Sequence, residues 1–308
     1  MNGIQGQAAP GKDPMRSRVL RQKIGRFVGR FLAYLVLAGG AVIMVYPLLY
    51  VVLASFYTAQ EFNESVLGLF PIAKEPTLDN FKMLFMVGLD TATLGYYVNS
   101  ILRTLYTTAF SCLSALLGGY VFARLKFRWK EGFFLCMLAT QMIPGILSVL
   151  PMYLQLRAMN LYDTWGVYLL LGGGALNVMG TFLVRQTLEE LPVAIEEAAK
   201  VDGANTACII FRIVLPMVKT IMIYLVITGA IGVWNDWTTP FYYTESQSMQ
   251  TIPSALTRLT AFAGKEGSLI DYPLILSFSL LVTVPSVIIF FIFQKHIVRG
   301  LMSAGIKG

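Results

Sequence analysis

The chain has 308 residues, 56% of them hydrophobic and 13% charged, with a formal net charge of +7. That balance lies far outside the soluble range and predicts a polytopic membrane protein without a large soluble domain. The basic residues are distributed by topology rather than gathered in a patch, so nucleic acid is not an expected partner. One histidine and three scattered cysteines supply neither a zinc site nor a disulfide framework, and no metal is expected.

Residues 1–26 read as a basic cytoplasmic tail, its first 23 residues partly disordered, ahead of a transmembrane domain over 27–308. A crossing helix needs about 20 apolar residues. Six candidates meet this, at 31–56, 98–122, 133–154, 164–184, 213–237 and 272–293. Backbone groups in lipid must be satisfied within their own segment, so all six are expected to be helices. The first begins too late and runs too long for a cleaved leader, and reads as an uncleaved anchor kinked near Pro47. Lys12, Arg16, Arg18, Arg21, Lys23, Arg26 and Arg30 precede or open it. Arg124, Lys126, Arg128 and Lys130 fill the second-to-third connection, and Lys295, Arg299 and Lys307 follow the last span. This positive-inside pattern places both termini in the cytoplasm.

Residues 57–97 form an outer connection of roughly 40 residues, longer than a simple link needs, which points to a functional surface. The second span opens with Asn99 and carries Arg103 a turn later. A charge at that depth faces the protein interior, or it snorkels to the interface. The third span holds Gln141, Pro144 and Pro151, two prolines seven residues apart, and is expected to be bent or broken. The fourth carries Gly172-Gly173-Gly174 and Asn177; small residues there permit close helix packing, and no lysine follows to make a phosphate loop. The fifth ends in Trp234-Asn235-Asp236-Trp237, which suits either an interfacial aromatic belt or a carbohydrate contact.

Between the fourth and fifth spans lies a polar stretch, 191–216 within a loop of 186–216. Pro192 suits a helix start, Asp202-Gly203 a turn, and Asn205 or Thr206 a cap for a second helix; Pro216 bends or restarts the next helix. Glu196, Glu197, Lys200, Asp202 and Arg212 are expected to face water, while Ala198, Ala199, Ala204 and Ala207 leave a small, smooth surface. Ile209 and Phe211 are expected to seat the elbow on the bundle.

The spacing Glu197-Ala198-Ala199, three residues, Gly203, nine residues, then Ile213-x-Leu215-Pro216 resembles the EAA loop of ABC importer membrane subunits. Pro76-Thr77-Leu78-Asp79-Asn80-Phe81, the Trp-Asn-Asp triplet and the terminus Ala304-Gly305-Ile306-Lys307-Gly308 are similar to segments of the carbohydrate-type, maltose-like branch. The resemblance implies an all-α type I importer permease fold in a bacterial plasma membrane, with a core at about 95–294 and a tail at 294–308. It further implies an elbow that docks on an ATPase dimer through Glu196, Glu197, Ala198, Ala199, Asp202, Gly203, Ala204, Arg212 and Pro216. The tail residues Gly305, Lys307 and Gly308 would touch the same dimer. A second permease chain, an outer sugar-binding protein and lipid complete the partners, with ATP and magnesium held by the ATPase and no cofactor on this chain. The chain has no Walker-type loop, which agrees with an external energy source. Asn99, Arg103, Gln141, Asn177, Trp234, Asn235 and Asp236 are the candidate pathway residues. A permease for a polyol phosphate is a near alternative, favoured if Arg103 is available to the solute. An ion-coupled carrier needs a midplane acid, and a hydrolase needs a nucleophile with a base or paired carboxylates; the sequence supplies neither.

Overall fold

A computed structural model describes residues 14–64, 70–86, 92–173, 176–262 and 271–305, and the regular structure among them is all helical. The chain runs through α1 (Pro14–Ala54), α2 (Ala59–Glu64), α3 (Asp79–Met86), α4 (Ala92–Arg124) and α5 (Lys130–Ala139). Then come α6 (Val149–Ala158), α7 (Trp165–Gly173), α8 (Val178–Glu189) and α9 (Ala194–Val201). Helices α10 (Thr206–Met217), α11 (Lys219–Trp234), α12 (Thr238–Tyr243), α13 (Ile252–Phe262) and α14 (Tyr272–Gly305) complete it.

Three stretches are long and apolar enough to cross a membrane alone: Arg26–Ala54, Thr93–Arg124 and Tyr272–Lys295. Two bent pairs raise the count to five among the described residues if each pair is one span. The third expected crossing is broken as its prolines predict. Its two halves meet at 93°. Ile143, the residue before Pro144, is pushed into extended backbone at ψ 118°, and Pro151 sits in the first turn of α6, where a missing N–H costs little. The fourth expected crossing is divided between α7 and α8, with residues 174 and 175 outside the described set. The fifth begins later than expected. The polar second helix of the elbow continues to Met217, and α11 leaves it at 83° across Val218. Pro216 loosens this turn by removing one backbone donor. Helix α1 begins at Pro14, within the expected basic tail, and α14 runs unbroken to Gly305, through the described part of the expected C-terminal tail.

Helix α4 is the spine, packed along α8, α11 and α7. Its stripe Cys112, Ala115, Leu116 and Tyr120 is buried at helical spacing against Val184 and Leu188 of α8, and the same core takes in Ile209, Ile210 and Val214 of the elbow. Helix α1 is the opposite case: none of its most apolar window is buried, and its exposed aliphatic residues need a lipid solvent. The other end of the bundle is tied by polar contacts. Asn99 donates to the carbonyls of Ser248 (2.7 Å) and Gln250 (2.9 Å), and Ser100 accepts from the Ile252 amide. The Asp163 carboxylate accepts the Glu245 and Ser246 amides at 2.8 and 2.9 Å.

The α4–α8 contact depends on Gly119, where an added Cβ would lie 2.4 Å from Val184 Cγ1 and 3.1 Å from the Arg185 nitrogen. Because backbone blocks one side, Gly119→Val is expected to cost about 1–3 kcal/mol by overpacking. Thermal unfolding of the purified variant in detergent, set against Gly29→Val on the open surface of α1 as control, checks this.

Candidate functional site

Helix α9 is a two-turn helix of sequence AIEEAAKV, and its two adjacent glutamates point in different directions because neighbours on a helix are about 100° apart. Glu197 is exposed. Glu196 is not: its carboxylate accepts the Arg124 Nε–H at 2.7 Å, and the two side chains are 2% and 9% exposed. The expectation that Glu196 faces water is therefore corrected. Arg124 is the last residue of α4, where a cation also opposes the negative end of the helix dipole. A second nitrogen of the same guanidinium donates to the Leu191 carbonyl at 3.1 Å, so one side chain grips both the entry and the body of the elbow.

The turn between the elbow helices has the hydrogen bonds of a Schellman motif. Ala204 N–H donates to the Ala199 carbonyl and Gly203 N–H to that of Lys200, with Gly203 at φ +85°. A side chain there would be strained. Asn205 then caps α10 by accepting the Cys208 amide at 2.8 Å. Residues Ile209–Val214 are wound as a π-helix, which places Ile209, Ile210 and Val214 on the core side. Phe211 is 48% exposed, so the predicted seat is made by Ile210 and Val214 with Ile209 instead. Arg212, Asp202, Ala198 and Pro216 are exposed or only partly covered, and Ala199 and Ala204 are half-buried against the core.

What remains outward on α9 is Glu197 with Lys200 one turn on, beside the exposed apolar residues Val193, Ala198 and Val201, the last 88% exposed, with Ile195 exposed further round the helix. This is a carboxylate with one lysine beside it and apolar residues around both, on a helix whose other face is anchored to the bundle. Of the tail residues, Gly305 ends α14, while Lys307 and Gly308 lie outside the described residues.

The candidate pathway residues separate. Arg103 and Asp236 come together: one guanidinium nitrogen donates to the Asp236 carbonyl at 3.0 Å and another to its carboxylate, with the Tyr168 ring 5.2 Å from the guanidinium carbon. Arg103 is buried, which rules out snorkelling. The other Asp236 carboxylate oxygen accepts the amides of Thr238 and Thr239 and so caps α12. Both residues line a cavity of about 320 Å³ with Thr107, Tyr168, Gly172, Gly232 and Thr239. Tyr168 and Thr107 escaped the sequence reading, because neither differs locally from any polar residue in a span. Asn177 caps α8 and donates to Ser111 Oγ at 2.8 Å. Trp234 is buried, its indole N–H donating to the Val282 carbonyl at 3.0 Å, and Asn235 donates to Ile231 at 2.8 Å. Gln141 is exposed at the break between α5 and α6. Asn99, Asn177, Trp234 and Asn235 thus hold helices and segments together, and none of the four lines the Arg103–Asp236 cavity.

Removing one member of the Arg124–Glu196 pair leaves the other charge buried and alone, at a cost of about 3–5 kcal/mol. Arg124→Met and Glu196→Met are each expected to lower the unfolding midpoint in detergent, and the double variant to recover most of the loss. Additive losses would show that the two groups do not act as a pair.

The model of the family "Binding-protein-dependent transport system inner membrane component" matches residues 115–303. A galactooligosaccharide transport permease of Bacillus subtilis is 30% identical over 286 residues, covering 93% of this chain and 98% of the relative. A maltodextrin transport permease of Streptococcus pneumoniae is 28% identical, with the same coverage of each chain. The solved structure of a bacterial ABC transporter that imports the acidic polysaccharide alginate matches at a TM-score of 0.69 and 17% identity, over 93% of this chain and 99% of that one. That likeness shows a shared fold. The chain belongs to the binding-protein-dependent transport family of inner membrane components.

Proposed function

We propose that this chain is one of two permease halves of an ATP-driven importer for a sugar or oligosaccharide in a bacterial plasma membrane. It crosses six times with both termini in the cytoplasm, counting α7 with α8 as one crossing and each bent pair as another. The observation that carries the reading is the elbow: its inner face is locked by Arg124 and Glu196, and its outer face presents Glu197 and Lys200 beside uncovered apolar residues. A carboxylate beside apolar residues is matched by a basic group in a groove of a partner, where exclusion of water strengthens the pair. The partner is the ATPase dimer that binds ATP and magnesium. Driven by it, the elbow moves as a rigid lever because α9 and α10 share one core with α4 and α8. An outer solute-binding protein delivers the substrate; a solved relative is described in complex with an alginate pentasaccharide-bound periplasmic protein.

A neutral saccharide suits the cavity better than a polyol phosphate. The Arg103 guanidinium is taken by Asp236, so the cavity lining offers no unpaired cation to a phosphate. Its remaining polar groups are hydroxyls beside the Tyr168 ring, which suit the hydroxyls and C–H faces of a sugar.

Affinity purification of the tagged chain from its host, followed by mass spectrometry, is expected to recover an ATPase, a second permease and a sugar-binding protein. In the reconstituted assembly, Glu197→Lys and Gly203→Val are expected to stop labelled-saccharide uptake while the folded chain persists and ATP hydrolysis continues. Normal uptake by both variants, or a chain that stays alone after cross-linking in intact cells, would contradict the proposal.

A further inference from the structure

The connection from α4 to α5 encloses a shallow cavity of about 470 Å³ lined by Leu125, Lys126, Phe127, Trp129, Lys130, Glu131 and Gly132. Two lysines and one glutamate line it, and Arg128 lies in the same connection beside it. Glu131 is committed to Arg185, both oxygens accepting from one guanidinium nitrogen at 2.8 and 2.9 Å. Lys126, Arg128 and Lys130 have no acidic partner among the described residues; the Lys130 ammonium donates to the Ala123 carbonyl at 3.3 Å near the end of α4. Trp129 adopts φ +67°, a left-handed conformation that a bulky residue rarely takes, and its indole is 70% exposed with Arg128 5.6 Å from the ring.

An apolar surface continues from this cavity. Helix α5 rises from Lys130, and Phe133 and Leu135 stand 61% and 63% exposed along it, with Cys136 exposed beside them. Gly132 leaves a notch at the foot: nothing lies within 4 Å of where its Cβ would be. Three cations and an indole stand below an uncovered aliphatic and aromatic strip. That order matches the order of groups in a phospholipid, with an anionic head at the boundary and acyl chains above it.

We propose that the α4–α5 cavity binds the headgroup of an anionic phospholipid, with Lys126, Arg128 and Lys130 around the phosphate and Trp129 at the glycerol level. The acyl chains lie over Gly132 and Phe133. Arg124 precedes the lining residue Leu125 and holds the elbow, and Arg185 of α8 bonds the lining residue Glu131, so the lipid sits one contact away from the elements that anchor the elbow. The assignment rests on reading this end of α5 as a membrane boundary, and an experiment in detergent solution tests the site without that reading.

The purified full chain, with whatever subunits accompany it, is delipidated in neutral detergent. It is then equilibrated with equal amounts of phosphatidylglycerol and phosphatidylcholine, and bound lipid is counted by native mass spectrometry. Wild type is expected to retain phosphatidylglycerol over phosphatidylcholine. Lys126→Gln/Arg128→Gln is expected to weaken that retention by about tenfold or more, since each cation near a headgroup contributes on the order of 1 kcal/mol. Lys74→Gln/Lys82→Gln, an equal charge loss in the connection between α2 and α4, leaves it unchanged. Gly132→Leu keeps every charge and fills the notch, so it is expected to lose the lipid even if the double charge variant fails to accumulate. Equal retention of the two lipids, or unchanged retention in Gly132→Leu and the charge variant, would overturn the proposal. So would displacement by excess inorganic phosphate, which marks a site for free phosphate, or loss of an accompanying subunit in either variant, which marks a protein interface.

Discussion

One guanidinium and one carboxylate, both withdrawn from water where α4 ends, set the position of the elbow. Burying two charges is costly, and their attraction offsets that cost only when geometry is close and the remaining donors are satisfied. Here Arg124 meets both conditions, because it bonds Glu196 at 2.7 Å and the Leu191 carbonyl at 3.1 Å. Hydrophobic burial alone would leave a two-turn helix free to roll, since apolar contacts have little directionality. The ion pair removes that freedom and decides which glutamate faces outward.

The same helix carries a second charge pair toward its other end, a buried arginine with a half-buried aspartate. Arg103 and Asp236 join α4 to the end of α11, and Asp236 also caps α12. Asn99 and Ser100, about one turn earlier on the same helix, fasten the segment from 248 to 252. Between these ends α4 packs closely on α8 through Cys112, Ala115, Leu116, Gly118, Gly119 and Tyr120, with Ser111 and Ser114 bonded to Asn177. Directional ties near both ends hold α4 in one register against its neighbours.

Much of the elbow was legible because its determinants are local. Gly203 at positive φ and the Asn205 cap each depend on residues within one turn, so sequence alone places the turn; Pro192, expected in the first helical turn, lies before α9, which starts at Ala194 after Val193. Glu196 was misread because composition says only that two adjacent acids are polar; its partner lies 72 residues earlier in the chain. A helical projection of α9 with Ala199 inward shows Glu196 rotating toward the core, and an arginine at the end of α4 was the signal for its partner. The late start of α11 has a similar cause. Ile213 and Leu215 look like the opening of a span, yet a π-helical stretch turns Ile209, Ile210 and Val214 into the core before the chain bends at Val218. The cavity was the least legible part, since Thr107, Tyr168 and Gly232 are brought together only by packing of three helices.

The central claim is that the outward face of α9 is the coupling surface, and site-specific cross-linking in intact cells tests it most directly. A photo-reactive residue at Val201, exposed on the same short helix as Glu197, is expected to capture a separate ATPase chain, with a yield that changes when ATP is depleted. The same group at Ile209, buried in the core, is expected to capture none. Capture of an ATPase from Val201 alone is the predicted result. No adduct from Val201 with the chain correctly inserted, or equal adducts from both positions, would contradict the account.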